Sequence, residues 1–283
     1  MAILGASGTL GRSLTRILGQ SRDVVTSSRS GGDPATRLDA TDPEAVNRFF
    51  TRYQPAVCVN CIGLVDIRQC EREPEQAYRA NVDTVANIKN ATVARGCRLV
   101  HISSDYVFGE PSALPHCEGD IPAPLQVYGA TKLHSEHILQ HAQDCLIVRL
   151  PLLYGDNETA HNWATAIVHA LRNQTPVAID DVHLRQPTFV DDVAVALIAV
   201  AAKPITGILH IASPSIMTKY AWSMTLAALL GVTEPSISPG MPSASDPARP
   251  KQSALSTERA LRLGVPTPRP VEKALLSFVG EIA

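Results

Sequence analysis

Met1-Ala-Ile-Leu-Gly5-Ala-Ser-Gly8-Thr-Leu-Gly11 decides how the rest of this chain is read. A short apolar run ends at Leu4, and three glycines follow at G-x-x-G-x-x-G spacing. Leu10, Leu14, Ile17 and Leu18 then recur with helical periodicity. The order is strand, tight turn, helix. A helix N-terminus leaves amide N–H groups without partners and carries the positive end of the helix dipole. Glycines keep the backbone bare enough for an anion to reach it. The combination is a cradle for a dinucleotide pyrophosphate, with Gly5, Ser7, Gly8, Thr9, Leu10 and Gly11 as its lining.

Outward from that turn, strand and helix patterns alternate. Val24-Val25-Thr26 reads as a second strand, and Thr41-Asp42-Pro43-Glu44 starts a helix that runs through Val46, Phe49 and Phe50. Residues 56–60 make a third strand. Pro74 opens a long helix through Ala77, Tyr78, Val82, Val85, Ile88 and Ala91; residues 99–103 and 146–148 supply two more strands on either side of a helix at Tyr128. Strands and helices at this spacing predict an α/β fold, a doubly wound parallel sheet covered on both faces. The expected division is a dinucleotide-binding Rossmann domain over residues 1–155, rejoined by segments at about 186–212. A smaller substrate-binding lobe takes up most of 156–283. Within it, residues 188–192 start a helix through Ala202 and residues 208–211 form a strand. The stretch 234–270 carries eight of the 21 prolines and is expected to be mostly irregular.

The end of the second strand selects the cofactor. A carboxylate there accepts from a ribose 2′-hydroxyl and repels a 2′-phosphate, whereas an arginine attracts the phosphate. The strand ends Thr26-Ser27-Ser28-Arg29, with no acidic residue before Asp33. Arg29, helped by Arg12, therefore favours NADPH (NADP+ when oxidised), and Asp39 is placed to recognise the adenine amino group.

Tyr128 and Lys132 stand four residues apart, which puts them on one helix face. A free tyrosine holds its proton to about pH 10. A neighbouring ammonium stabilises the phenolate and is expected to bring that value toward neutrality, as a general acid/base requires.

A net charge of −2 on 283 residues offers no basic field for nucleic acid. The longest apolar run, Val193 to Ala202, is about half of a bilayer-spanning helix. No signal peptide precedes the first strand, so the expectation is a cytoplasmic protein with no membrane partner. Cys58-Val-Asn-Cys61 spells C-x-x-C inside a strand pattern, where residues three apart face opposite ways. Core packing is the reading for these thiols. His134, His137 and His141 share a helix face, but no cysteine or carboxylate completes a set of ligands, and no metal is expected.

Several motifs together carry a resemblance. They are Gly5 to Gly11, Asn60-Cys-Ile-Gly63, Ser103-Ser-Asp-Tyr-Val-Phe108, Glu118-x-Asp120-x-Pro122-x-Pro124, Tyr128-x-x-x-Lys132, Arg149-Leu-Pro-Leu-Leu-Tyr-Gly155, Gln186-Pro-Thr188 and Arg249-Pro250. The chain resembles extended short-chain dehydrogenase/reductases, and within them the dTDP-4-dehydrorhamnose reductase family, over nearly its whole length. Asp120-Ile-Pro-Ala-Pro124 and Met217-Thr-Lys-Tyr220 are similar to the branch of regulatory beta subunits of methionine adenosyltransferase. That branch keeps the reductase motifs yet serves as a binding partner.

The resemblance implies an NADPH-dependent reductase of a carbonyl on a polar small molecule, above all a nucleotide-linked 4-keto-6-deoxysugar. Ser104 would bind the carbonyl oxygen, Tyr128 would supply the proton, and Lys132 would hold the nicotinamide ribose and acidify Tyr128. Asn81 would support the lysine. Cys61, Ile62, Gly63 and Leu152 fall at cofactor positions. Ser104, Asp105, Tyr106, Asn162, Trp163, Arg185 and Arg249 fall at substrate positions, with His161 beside them. Tyr106 stands where sugar dehydratases have Glu, which argues against dehydration. Leu152 stands where the reductases have a substrate-stacking Trp, which leaves the sugar open. The alternatives are a non-catalytic NADP(H)-binding regulatory subunit and a nucleotide-sugar epimerase. The regulatory subunits extend past their last helix, whereas the sequence stops at residues 278–283, which tilts the expectation toward an enzyme. Extended relatives often dimerise through the Tyr128 helix and its predecessor, so a homodimer is expected by analogy.

Overall fold

The computed structural model describes residues 1–19, 23–30, 36–110, 115–155, 162–243 and 245–282. In chain order the first half is β1 (Ala2–Leu4), α1 (Thr9–Leu18), β2 (Val25–Ser27), α2 (Pro43–Tyr53), β3 (Val57–Asn60), α3 (Ile67–Arg72), α4 (Pro74–Tyr78), α5 (Thr84–Val93), β4 (Arg98–Ser104), α6 (Val127–Leu139) and β5 (Cys145–Leu150). The second half is β6 (Leu153–Tyr154), α7 (Trp163–Arg172), β7 (Val177–Asp180), β8 (Thr188–Phe189), α8 (Val190–Ala201), β9 (Gly207–His210), α9 (Lys219–Leu229), β10 (Ile237–Gly240), α10 (Glu258–Arg262) and α11 (Val271–Ile282).

Six strands form one parallel sheet in the order β2-β1-β3-β4-β5-β9. The order reverses between β1 and β3, and ligands bind open α/β sheets at the carboxyl ends of strands beside such a switch. All six residues of β5 and six of the seven in β4 are buried, as a sheet covered on both faces demands. One covering layer is Leu10 and Leu14 of α1 with Val193, Leu197 and Val200 of α8; the other is Val46, Phe49 and Phe50 of α2 with Val85 and Ile88 of α5. Cys58 belongs to the second layer and Cys61 packs on the first, which is the opposite-face placement the C-x-x-C spacing predicts. All six cysteines are free thiols.

α8 and β9 return to the sheet, while a separate aromatic core built on Tyr154, Phe189, Trp222 and Phe278 knits α7, α9 and α11 into a lobe. Two departures from the sequence reading matter. The stretch 234–270 is less irregular than its prolines suggest. β10 pairs in parallel with β7 although Pro239 lacks a donor, since a proline still keeps its carbonyl, and α10 follows. The long helix from Pro74 is interrupted by a π-helical turn at Arg79–Asp83, and that turn contains Asn81. Among the described residues no helix is long and apolar enough to cross a membrane.

Candidate active site

Ser104 is the last residue of β4, and a 3-10 turn over Asp105–Val107 carries the chain away from the sheet. Its hydroxyl accepts the Tyr106 N–H at 3.2 Å and donates to Asp105 Oδ1 at 3.1 Å. α6 lies directly beneath. A Cβ on Gly129 would overlap the Tyr106 carbonyl oxygen, so only glycine lets the helix approach this closely. Gln126 caps α6 by accepting the Gly129 N–H at 2.5 Å. The approach brings the Tyr128 phenol to the Ser104 hydroxyl, and the Tyr106 ring stands edge-on to it at 6.2 Å. One turn along, Lys132 Nζ donates to the Ile102 carbonyl at 2.8 Å and lies beside Asn81 and Gly63. Ser104, Tyr128 and Lys132 are all buried.

The expected acidification of Tyr128 is not what this arrangement produces. Burial pushes the phenol up from its ordinary value; the Ser104 hydrogen bond pulls the other way, and the Asp105 charge adds to the rise. The ammonium donates to the Ile102 carbonyl and is not among the main influences on the phenol. Burial also brings the lysine down to about 8, with Cys61 and Glu136 acting in the opposite sense.

Beneath these side chains runs a polar network that the sequence reading missed. Asn60 Nδ2 and His101 Nδ1 are 3.1 Å apart, His101 Nε2 and Ser135 Oγ 3.2 Å, and Ser135 donates to the Lys132 carbonyl at 2.6 Å. Burial, then the Lys132 charge, holds His101 well below the usual histidine range. Alongside, Ser103 donates to Glu136 at 2.5 Å, and Arg149 grips the same carboxylate through Nε at 2.9 Å and Nη2 at 2.6 Å. Asn81 donates to Thr131 Oγ1 at 2.9 Å and to the Leu64 carbonyl at 3.0 Å. The signal was available: Thr131, Ser135 and Glu136 sit three or four residues from Tyr128 or Lys132, on the same face of α6.

Across the switch point lies the glycine turn. Gly5 has φ +79°, and a Cβ there would come within 3.0 Å of the Cys61 and Ile62 backbone. A Cβ on Gly11 would overlap the Gly5 carbonyl oxygen and reach to 2.7 Å from Ala6 Cα. Gly8, the N-cap, supplies no side-chain cap, and a Cβ on it would touch only Gly5 O at 3.5 Å. Ser7, Gly8 and Thr9 thus surround open space at the start of α1, where Leu10 is buried against the sheet. Beside it a cavity of about 420 Å³ is lined by Ser7, Arg12, Thr26, Ser27 and Ser28 among others. Ser27 Oγ is buried there without a partner among the described residues. Bare backbone, an uncapped helix start and hydroxyls at the strand end fit a dinucleotide phosphate.

Arg29 is exposed just past this cavity and lies near Asp39, whose carboxylate accepts from Thr41 N at 3.0 Å and Oγ1 at 2.7 Å. Those bonds, more than Arg29, hold Asp39 below the usual carboxylate range. Asp33 and His161 fall outside the described residues. Cys61, Ile62 and Gly63 follow β3, with Ile62 N held by Asn60 Oδ1 at 3.1 Å. Leu152 is half-buried between β5 and β6, its carbonyl accepting from Thr188 N at 2.9 Å.

On the lobe side, Arg185 Cζ stands 5.2 Å over the Tyr106 ring. Its Nη1 donates to the Pro250 carbonyl and to Ser253 Oγ, both at 3.1 Å, and Ser253 donates to Asp105 at 2.6 Å. Burial raises Asp105, while Arg185 and the two serine hydroxyls pull it back. Asp105 is thus buried, with its two oxygens held by Ser104 and Ser253. Arg249 approaches Asp180 at 3.9 Å. Asn162 starts α7: its Oδ1 caps the helix and its Nδ2 donates to the Gly155 carbonyl at 3.2 Å. Trp163, half-buried, anchors its indole N–H on the Leu153 carbonyl at 2.8 Å. Among the described residues no group of three His, Cys, Asp or Glu is disposed to hold a metal.

The model of the RmlD substrate binding domain family matches residues 1–283. The mouse (Mus musculus) methionine adenosyltransferase 2 subunit beta is 31% identical over 274 residues, 93% of this chain and 82% of that protein. The dTDP-4-dehydrorhamnose reductase of Streptomyces griseus is 32% identical over 267 residues, 91% and 85% of the two chains. A solved dTDP-4-dehydrorhamnose reductase ortholog from Clostridium acetobutylicum aligns with a TM-score of 0.89 at 26% identity, covering 100% of this chain and 99% of that one. The Bacillus anthracis reductase, solved in complex with NADP, gives 0.90 at 24% identity, with 99% and 98% covered, a likeness of fold. With a family model spanning its whole length and two relatives above 30% identity, the chain belongs to the RmlD substrate binding domain family, as its motifs led us to expect.

Proposed function

We propose that this chain is an NADPH-dependent carbonyl reductase whose substrate is a nucleotide-linked 4-keto-6-deoxysugar or a close polar relative. The observation that carries the reading is the meeting of Ser104, Tyr128 and Lys132 at the carboxyl end of β4, across the switch point from a glycine turn shaped for a dinucleotide. Gly5, Gly8 and Gly11 would admit the pyrophosphate, Arg29 and Ser28 would face the 2′-phosphate, and Gly63 and Lys132 would border the nicotinamide ribose. When bound, the cofactor supplies the hydride.

The chain's own residues then handle the oxygen. Ser104 and Tyr128 present two hydroxyls to a carbonyl oxygen, and both are in place before charge develops. Burial keeps Tyr128 protonated at neutral pH, which is the form that donates to an alkoxide. Lys132 would give up Ile102 for the ribose hydroxyls and so move its charge toward the phenol at the moment that charge helps. NADPH consumption followed by absorbance, with a panel of keto-sugar nucleotides, tests the reading; no turnover of any member would reject it.

The second reading, a non-catalytic NADP(H)-binding regulatory subunit, is favoured by one observation besides the 31% identity to the mouse beta subunit: Lys132 donates to the backbone at Ile102 while burial holds the phenol above its ordinary range. Tight NADPH binding without turnover, together with co-purification of a methionine adenosyltransferase, would select it.

A further inference from the structure

Glu136 is only 3% exposed, and the two residues that bond it, Ser103 and Arg149, are buried with it. A carboxylate taken out of water is costly unless its oxygens are satisfied. Here they are. Arg149, on β5, donates from Nε to Oε1 at 2.9 Å and from Nη2 to Oε2 at 2.6 Å, and Ser103 donates to Oε1 at 2.5 Å. The guanidinium is fixed in turn. Its Cζ stands 4.9 Å over the Phe108 ring, Phe108 stacks on His116 at 4.1 Å, and Nη1 lies 3.5 Å from His210 Nε2 on β9.

The places of these residues in the chain tie the ion pair to the chemistry. Ser103 immediately precedes Ser104 on β4. Glu136 follows Lys132 by four residues, one turn further along the buried side of α6 that also carries Tyr128. Phe108 closes the 3-10 turn that leaves Ser104. One carboxylate therefore joins the strand end to the helix, and through Arg149 it reaches the turn. Apolar side chains could fill the same space, but a two-point Arg–carboxylate bond also fixes direction.

We propose that Glu136, held by Arg149 and Ser103, is a positioning residue for the reduction: it fixes α6 against the end of β4, so that Tyr128 and Lys132 reach the carbonyl and the cofactor ribose together. The inference rests on the reductase reading above. A second effect follows from the charge. Burial lowers the Lys132 amine to about 8; Cys61, Glu136 and Cys70 act in the opposite sense. The thiols do so only as thiolates, and burial pushes them to about 12 and about 11. His101 on β4 also feels the ammonium, and Tyr128 shares its helix face; burial keeps both neutral. Between pH 7 and 9, Glu136 is thus the anion that sustains the ammonium.

Two measurements test this on Glu136→Gln, which keeps the shape and removes the charge. The first is the Lys132 amine titration in the free protein, followed by NMR of labelled lysine and assigned with Lys132→Arg. Its midpoint should fall by about half a pH unit or more. The second is turnover of a keto-sugar nucleotide, where kcat should drop about tenfold or more with KM within about twofold of wild type. Leu139→Ala, which loosens α6 without touching the clamp, should leave the midpoint in place. A Glu136→Gln enzyme with kcat within about twofold of wild type would overturn the proposal. So would a lowered kcat with an unmoved midpoint, since general loosening explains that. Should Glu136→Gln fail to fold, Glu136→Leu combined with Arg149→Met removes both charges together and decides on the same two readouts. A wild type that turns over no keto sugar removes the reductase reading, and the Lys132 midpoint then decides on Glu136 alone.

Discussion

Lys132 has a carbonyl, an amide side chain and a glycine for company, and this environment charges the protein for its ammonium. The amine falls from 10.5 in the unfolded chain to about 8 in the native one, chiefly by burial. The penalty is therefore complete below pH 8 and vanishes as pH rises through 10.5. At 1.4 kcal/mol per unit it approaches about 3 kcal/mol. Lys132→Met should consequently be more stable than wild type at pH 7, by about 2 kcal/mol after losing the Ile102 bond, while losing turnover. Urea denaturation at pH 7 and pH 10 measures it: the gap should shrink at the higher pH, and a less stable variant at pH 7 would contradict the account. The spacing of Tyr128 and Lys132 announced a shared helix face, and the structure has it. What spacing does not encode is the direction a lysine amine takes. The Ile102 carbonyl arrives from β4, far away in sequence, and accepts a bond from the ammonium that the pattern alone assigned to the phenol.

The glycine turn was the most legible element, because each of its glycines answers a local demand. Those demands differ, and the difference is testable. Gly11→Ala drives a methyl into the Gly5 carbonyl and should destabilise the fold by about 1–3 kcal/mol. Gly8→Ala meets only one atom at 3.5 Å and keeps an ordinary backbone, φ −76°, so its stability should be unchanged. Its methyl nevertheless enters the space reserved for pyrophosphate, and NADPH affinity should fall at least tenfold. Calorimetric NADPH titration beside thermal melts separates the two; a Gly8→Ala protein with wild-type affinity would show that the phosphate lies elsewhere. Other elements were legible for the same local reason: Asp42 caps α2 ahead of Pro43, and β3, β4 and β5 carry runs too apolar for anything but a buried strand. The π turn was not, since its cause is tertiary: Asn81 is pulled in to bond both Leu64 and Thr131. β7 and β10 were missed because each is half exposed and pairs with a partner about sixty residues away, so neither shows a strand period alone.

At the scale of the molecule, buried histidines tie the sheet to its surroundings and must stay neutral. Burial, then Arg149, lowers His210 to about 3; burial likewise lowers His116 and holds His101 well below the usual histidine range. Unfolded, each would take a proton near pH 6.5. Stability is thus complete above pH 6.5 and declines as pH falls toward 3, with His210 alone contributing about 2 kcal/mol between pH 7 and 5. His210→Gln should flatten that decline in urea melts, and an unchanged slope would remove the assignment. The aromatic core on Tyr154, Phe189, Trp222 and Phe278 was not legible in the sequence, because its residues come together only through the tertiary fold. The account as a whole stands on Tyr128 as proton donor to a carbonyl reduced at the end of β4. Its most direct measurement is a single turnover of NADPH with a nucleotide-linked 4-keto-6-deoxysugar by wild type and by Tyr128→Phe. The prediction is stoichiometric NADPH oxidation by the wild type, and a rate about 100-fold or more slower in the variant at equal NADPH affinity. Equal rates in the two proteins would contradict it.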